Sequence, residues 1–242
     1  MNLYNSLNNN RKQFAVLIDP DSYSPKDVEK LADMASKTGV SFFFVGGSLL
    51  TNDVLGETIR IIKKNSDIPV IIFPGDTMQI NDSADGILLL SLISGRNPEL
   101  LIGKHVIAAP YLKKSNLEIL PTGYMLIDSG RSTTALYMSN SLPIPADKDE
   151  IAVSTAMAGE MLGLKLIYMD GGSGAMNPVP VSMISKVKAN ISVPLIVGGG
   201  IRTPEAAAER FNAGADIIVV GNAIEDSHTV LQQIAEVTLS LS

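Results

Sequence analysis

Between Val193 and Glu225 the chain twice runs an apolar strand straight into glycine, in VPLIVGGGIRTPEAAAERFNAGADIIVVGNAIE. Pro194–Val197 reads as the first strand, followed by Gly198, Gly199 and Gly200. Asp216–Val220 reads as the second, followed by Gly221 and Asn222. A short helix joins them, with Thr203 as N-cap, Pro204 at its first position and Glu205 in its first turn. Glycine loops let main-chain N–H groups converge on an anion without interference from Cβ, and a helix N-terminus behind them adds partial positive charge. Glycines that merely end strands are the plainer reading. Two such loops side by side, each directly after an apolar strand and near the end of a chain, point instead to the phosphate site of a (β/α)8 barrel.

The remaining sequence is compatible with that fold. The 242 residues suit one barrel, of about 250 residues typically, so 1–242 is read as a single domain. No apolar run reaches the roughly 18 residues of a membrane span, and MNLYNSLNNNRKQ carries no export signal, so the cytoplasm is the expected compartment. Zero cysteines exclude disulfides, iron–sulfur clusters and thiolate chemistry. A net charge of −6 without a basic stripe argues against nucleic acid. His105 and His228 are the only histidines, too few for a histidine-based metal site, and both are expected to be structural or superficial.

Strands are expected at Phe14–Ile18, Ser41–Val45, Pro69–Phe73, Gly86–Leu90, Gly123–Ile127 and Lys165–Met169, ahead of the two already described. Helices are expected from Pro25 to about Lys37, from about Asn52 to Lys64, over Asp149–Leu162 and Val181–Ala189, and roughly over Ser227–Leu239. The alternation is irregular in the middle. Asp76–Ala84 is short for a helix, Pro98–Ile102 looks helical, and His105–Ala108 is a brief apolar run before Pro110. Arg131–Lys148, with Pro143 and Pro145, is a long excursion. Every loop rich in Asp, Gly or Ser falls at the C-terminal end of a strand, and in a barrel those ends share one rim.

Chemistry is expected at that rim. Asp19-Pro20-Asp21 follows the first strand, and Ser48 follows Gly46-Gly47 at the end of the second. Carboxylates and a hydroxyl suit a hard cation such as Mg²⁺, which takes one or two carboxylates and bridges to phosphate oxygens; turn-capping is an equal alternative for both residues. Asp170 ends the sixth strand ahead of Gly171-Gly172-Ser173-Gly174, a third glycine loop beside the other two, and is placed to take a proton from a hydroxyl. Asp19 and Asp128 end strands on opposite sides of the barrel, so an acid–base pair is a rival arrangement. Methionines gather in the second half, Met125, Met138, Met157, Met161, Met169, Met176 and Met183, where core packing is the first explanation and the wall of a lipid-like site the second.

Taken in order, FAVLIDPD at Phe14–Asp21, VGGS at Val45–Ser48, IAAPYLK at Ile107–Lys113, PTGYMLI at Pro121–Ile127, YMDGGSG at Tyr168–Gly174, VGGGIR at Val197–Arg202 and ADIIVVGNAIE at Ala215–Glu225 resemble geranylgeranylglyceryl phosphate synthase, as does Ser141–Ile151. The longer form, with IAAPYLK before PTGY, resembles the second of the family's two groups. The resemblance implies a modified TIM barrel that joins the sn-3 hydroxyl of sn-glycerol 1-phosphate to C1 of a prenyl diphosphate, with geranylgeranyl diphosphate the expected donor, and releases pyrophosphate. It carries Mg²⁺ binding to Asp19 and Ser48, catalysis to Asp170 and Asp19, and glycerol-phosphate binding to Tyr168, Met169, Asp170, Gly171, Gly172, Ser173, Gly174, Gly199, Gly200, Gly221 and Asn222. A homo-oligomer (dimer or hexamer) and transient membrane contact for the lipid product are further implied. One departure stands out: Asp170 occupies a position where the family usually has Glu, a carboxylate one methylene longer. The rival readings are a sugar-phosphate isomerase or lyase using Asp19 and Asp128, and a barrel binding FMN through its glycine loops.

Overall fold

Eight parallel strands close on themselves in sequence order: β1 (Gln13–Ile18), β2 (Phe42–Val45), β3 (Val70–Ile72), β4 (Gly86–Leu92), β5 (Glu118–Leu126), β6 (Leu166–Asp170), β7 (Leu195–Gly198) and β8 (Ile217–Val220), which pairs back to β1. The structure, a computed structural model, describes residues 2–221 and 228–242. The helices among them are α1 (Leu3–Leu7), α2 (Pro25–Thr38), α3 (Leu55–Asn65), α4 (Lys104–Leu112), α5 (Thr134–Ser139), α6 (Asp149–Met161), α7 (Val181–Lys188), α8 (Pro204–Asn212) and α9 (His228–Ser240). Side chains alternate along each strand. Phe42, Phe44, Tyr124 and Tyr168 turn into the barrel, while Phe43, Val45, Met125 and Met169 turn out against the helices. Parallel strands covered on both faces read as the continuous apolar runs seen in the sequence.

Local chemistry sets most element ends. Ser24 caps α2 by accepting from the Asp27 N–H, with Pro25 at the first helical position, and Gly39 ends it in the left-handed region. Thr203 caps α8 through the Ala206 N–H, as expected. α3 begins at Leu55 rather than Asn52 because Asn52 and Thr51 are drawn off to Asp21, which accepts from both side chains and from the Thr51 N–H.

The middle of the chain departs from the expected pattern. β5 starts at Glu118, five residues before Gly123: residues 118–121 are in register with β4, and Pro121, which has no N–H to give, still accepts the Lys165 N–H at 2.8 Å through its carbonyl. His105–Ala108 is part of α4, which runs on through Pro110 and is preceded by a π-helical turn, Glu99–Gly103. Such a short apolar run fits either period, and the tertiary packing decides it. Between β3 and β4 there are turns and bends but no helix, so this crossover leaves that side of the barrel thinly covered.

The N-terminal segment, which reads as polar, contains α1. Leu3 and Leu7 lie four apart on one helix face and are both buried in the interior cluster. Glu118, at the start of β5, accepts from the Leu3 and Tyr4 N–H groups at 2.6 and 2.8 Å. α1 therefore closes the barrel at the N-terminal ends of the strands, opposite the rim. Leu7→Ala is expected to lower the unfolding free energy by about 2–4 kcal/mol in urea melts and leave the turnover of folded protein unchanged.

Candidate active site

Strand alternation puts Tyr168 and Asp170, two residues apart on β6, on the same inward face at the rim. Register then places Gly198 of β7 directly beside Asp170, and the Gly171 N–H donates to the Gly198 carbonyl at 3.1 Å. The contact is close enough to require glycine. A Cβ on Gly198 would stand 2.5 Å from the Tyr168 hydroxyl, and one on Gly199 would stand 2.7 Å from the main-chain nitrogens of both Gly171 and Gly172. Gly172, Gly174, Gly199 and Gly200 have φ between +72° and +85°, the left-handed region. The loops after β6 and β7 thus form one interlocked main-chain surface. Arg202 adds a cation beside it, its guanidinium donating to the Ala175 carbonyl at 2.7 Å.

The structure sorts the sequence-predicted residues of this side. Tyr168, Asp170, Gly171 and Gly172 are buried, Gly174, Gly199, Gly200 and Gly221 are partly exposed, and Ser173 is exposed. Met169 is fully buried on the other face of β6, in the layer between sheet and helices, so only its main chain is available to the rim. Among the described residues, a Cβ on Gly221 would meet nothing nearer than the Leu17 carbonyl at 3.7 Å, unlike those on Gly198 and Gly199. Asn222 lies outside the described residues.

Asp170 is the chemical centre of the group. One oxygen accepts the Tyr124 hydroxyl at 2.6 Å, the other the Gly172 N–H at 2.7 Å. Burial raises its pKa above the ordinary carboxylate range, against the lowering effect of those two donors. Burial also pushes the Tyr124 phenol well up, reinforced by the Asp170 charge, so Tyr124 keeps its proton and donates it. Tyr124 comes from β5, in register beside Tyr168. Its ring meets Tyr168 edge-on at 5.4 Å and Phe73 edge-on at 5.8 Å, while Phe73 stacks on Tyr168 at 5.3 Å. Sequence reasoning singled out neither Tyr124 nor Phe73. The available signals were Tyr124's parity in β5, which turns it inward, and Phe73's place at the end of the third expected strand.

On the opposite side of the rim, the Asp19 carboxylate packs against Gly47, where a Cβ would lie 3.0 Å from Oδ2. Half-burial raises the Asp19 pKa; the Asp21 N–H, donating to Oδ1 at 3.1 Å, opposes the shift, and the Asp21 charge adds to it. Gln79, buried in the next loop, fixes the neighbouring main chain by donating to the Gly47 carbonyl and accepting the Gly75 N–H. Ser48 sits between these loops, its Cα 2.7 Å from where a Gly75 Cβ would be. Among the described residues no group of three or more His, Cys, Asp or Glu is arranged around a metal position. A half-buried carboxylate against the loop that carries Ser48 is compatible chemistry for a magnesium ion whose remaining ligands are water and substrate phosphate. Asp128, the partner in the rival acid–base arrangement, is exposed and caps its own turn by accepting the Gly130 N–H.

A cavity of about 790 Å³ opens beside Gly47 and Ser48, within the roughly 300–1,000 Å³ of small-molecule sites, and reaches the Asp170 side only through Tyr124. It runs from Tyr124 and Phe73 at the rim, past Ser48, and down beside β4, where Ile87, Leu89 and Leu90 meet Ala108 and Leu112 of α4. The space exists because no crossover helix covers β4 between β3 and β4. Its walls are mainly apolar, with Met138 and Met78 at the exposed end; Met125, Met169 and Met183 are core residues. His105 lies in the wall, its Nε2 3.2 Å from the Ser91 hydroxyl, and burial lowers its pKa.

Known proteins are similar to this chain over nearly its whole length. The model of the PcrB family matches residues 7–238. A geranylgeranylglyceryl phosphate synthase of Chitinophaga pinensis is 54% identical over 93% of this chain and 89% of its own length. One of the same name from Korarchaeum cryptofilum is 40% identical over 96% of this chain and 95% of its own. Among solved structures, the (S)-3-O-geranylgeranylglyceryl phosphate synthase of Thermoplasma acidophilum, in complex with its substrate sn-glycerol-1-phosphate, superposes with a TM-score of 0.93 at 35% identity over 98% of both chains.

Proposed function

This chain belongs to the PcrB family, and from that premise we infer that it is a prenyltransferase joining sn-glycerol 1-phosphate to a prenyl diphosphate, giving a prenylglyceryl phosphate ether and pyrophosphate. The observation that carries the reading is the position of Tyr124. Its ring lines the apolar cavity, and its hydroxyl holds Asp170 at the head of the glycine loops. A lipid-shaped space and the glycine-loop surface therefore meet through one tyrosine, Tyr124.

In this reading the loops Gly171–Gly174 and Gly199–Gly200 hold the glycerol phosphate through main-chain N–H groups other than those of Gly171 and Gly172, which are given to Gly198 and Asp170, with Arg202 adding charge. The prenyl chain takes the cavity and turns its C1 toward the rim. The C1–O bond to the diphosphate breaks with its electron pair leaving on pyrophosphate. The glycerol oxygen supplies the pair for the new C–O bond, and its proton passes to Asp170. Tyr124 keeps that carboxylate aimed, and the rings of Phe73, Tyr124 and Tyr168 offer π-faces to positive charge developing at C1. Asp19 and Ser48 would hold Mg²⁺, whose contribution when bound is to neutralise the leaving diphosphate. Bringing both substrates to one point is itself a large part of the acceleration. A geranylgeranyl donor, a cytoplasmic setting and a homo-oligomer complete the proposal; Met161 and Leu162, exposed at the end of α6, supply an apolar surface for self-association.

The test is a product assay with Mg²⁺, each enantiomer of glycerol phosphate, and labelled prenyl diphosphates of graded length. An ether product from sn-glycerol 1-phosphate and not from its enantiomer is the expected result, abolished by chelation of the metal. Folded, magnesium-replete protein that forms no ether with any donor would overturn the assignment.

A further inference from the structure

One face of α4 runs from charge to hydrocarbon. Lys104, Ala108 and Leu112 are spaced four apart, so they share a helix face, and all three line the cavity. α4 follows β4 and descends from the rim, so this face presents an ammonium near the mouth and an apolar wall below it, beside Ile87 and Leu89. That gradient suits an amphiphile held with an anionic head at the mouth.

The other charges there are acidic. Among the described residues that line the cavity, Asp53, Asp76 and Lys104 are the charged ones, and burial lowers the pKa of His105. Asp19 stands against Gly47, and Asp21 is taken up by Thr51 and Asn52. Arg60, on α3, turns its Nε–H to the Gly56 carbonyl. A mouth with Asp53 and Asp76 repels a polyanion, and Lys104 is the lining cation that opposes the repulsion.

Lys104 is loosely committed. Its ammonium donates to Asp76 Oδ2, but the two side chains are 37% and 44% exposed, a setting in which an ion pair contributes little. Asp76 keeps other donors on Oδ1, the Thr77 hydroxyl and the Met78 N–H, so it stays held when the lysine leaves. Asp76 also follows Gly75, where a Cβ would stand 2.7 Å from the Ser48 Cα. A point charge on a flexible stem is therefore placed where the cavity meets the Ser48 loop.

We propose that Lys104 binds the diphosphate of the donor, passing from Asp76 to a diphosphate oxygen as the donor enters and returning when pyrophosphate leaves. The donor's identity rests on the prenyltransferase reading. Binding of inorganic pyrophosphate needs no turnover, so the two can fail separately.

The experiment is calorimetric titration of the full chain with inorganic pyrophosphate in the presence of Mg²⁺. Lys104→Met should bind about ten- to hundred-fold more weakly, the loss expected for a charge-assisted hydrogen bond, and Lys104→Arg should recover most of it. Asp76→Asn should bind more tightly than the parent, since it removes a competitor and a repulsive charge. The double variant Asp76→Asn/Lys104→Met should fall below Asp76→Asn by a factor like that of the single change. In turnover, KM for the prenyl diphosphate should rise in Lys104→Met, with KM for sn-glycerol 1-phosphate and the melting temperature as in the parent. A double variant that binds like Asp76→Asn would overturn the proposal, leaving the lysine only the task of neutralising Asp76. So would a parent that does not bind pyrophosphate, or an equal loss of glycerol phosphate affinity in Lys104→Met. The expected binding pattern in a protein that forms no ether would keep the diphosphate site and remove the prenyl-transfer reading alone.

Discussion

Asp170→Asn is expected to lower kcat by roughly 10²–10⁴-fold, the usual contribution of a positioned proton acceptor, while KM for sn-glycerol 1-phosphate changes little. The amide preserves the shape and both hydrogen bonds, since its oxygen can accept the Gly172 N–H and its nitrogen can donate to the Tyr124 oxygen. Stability should not fall at neutral pH. Burial raises the folded-state pKa of Asp170 above its unfolded value, so its favourable contribution is present below the unfolded pKa and lost as pH rises through the folded one. Replacing the ionised carboxylate by a neutral amide therefore removes a buried charge at pH 7. The same shift sets the pH dependence of the reaction. The base must be ionised, so kcat should fall as pH drops through a value above the ordinary aspartate pKa of about 3.9. Tyr124→Phe removes a donor that lowers the Asp170 pKa, and the acid limb should move further up while activity recovers at higher pH. A profile with its acid limb unmoved in Tyr124→Phe, or full turnover by Asp170→Asn, would remove Asp170 from the proton step.

Gly199→Ala should lower kcat/KM for the glycerol phosphate about 10²-fold, the scale on which misplacing a positioning group by an ångström acts. Two independent effects combine. The residue sits at φ +82°, where an L side chain is strained, and its new Cβ would fall 2.7 Å from the Gly171 and Gly172 nitrogens. Relief requires the loops after β6 and β7 to separate, which scatters the N–H groups meant for the phosphate. Gly221→Ala is the comparison, because among the described residues its Cβ would meet only ordinary contacts and its φ is not positive. Isothermal titration with sn-glycerol 1-phosphate compares the two directly. Equal affinity in Gly199→Ala and the parent would mean that these loops do not hold the phosphate.

The barrel and the glycine-loop side of its rim were legible because both are written in local signals. Continuous apolar runs mark strands buried on two faces, and a glycine directly after each run marks where the main chain must be bare. Asp19 and Asp170 were legible for the same reason: a residue at the C-terminal end of a barrel strand faces the rim wherever it falls in the chain. For Met169, included in the glycerol-phosphate set as part of a contiguous motif, alternation along β6 sends the side chain outward and leaves only the main chain toward the rim. α1 was missed since five residues with two leucines fall below any periodic signal, and their burial depends on the open end of a barrel that forms elsewhere in the chain.

By itself, then, the sequence determined the fold class, the rim and the carboxylates on it, because backbone stereochemistry and strand period act over a few residues. Only the tertiary structure decided that Tyr124 grips Asp170 across 46 residues, a consequence of β5–β6 register. It also decided that a cavity exists, through a crossover with no helix and an α4 that runs on through Pro110 to form its wall. Cavities and cross-strand pairs are made by parts far apart in the chain, and no local pattern encodes the distance between them.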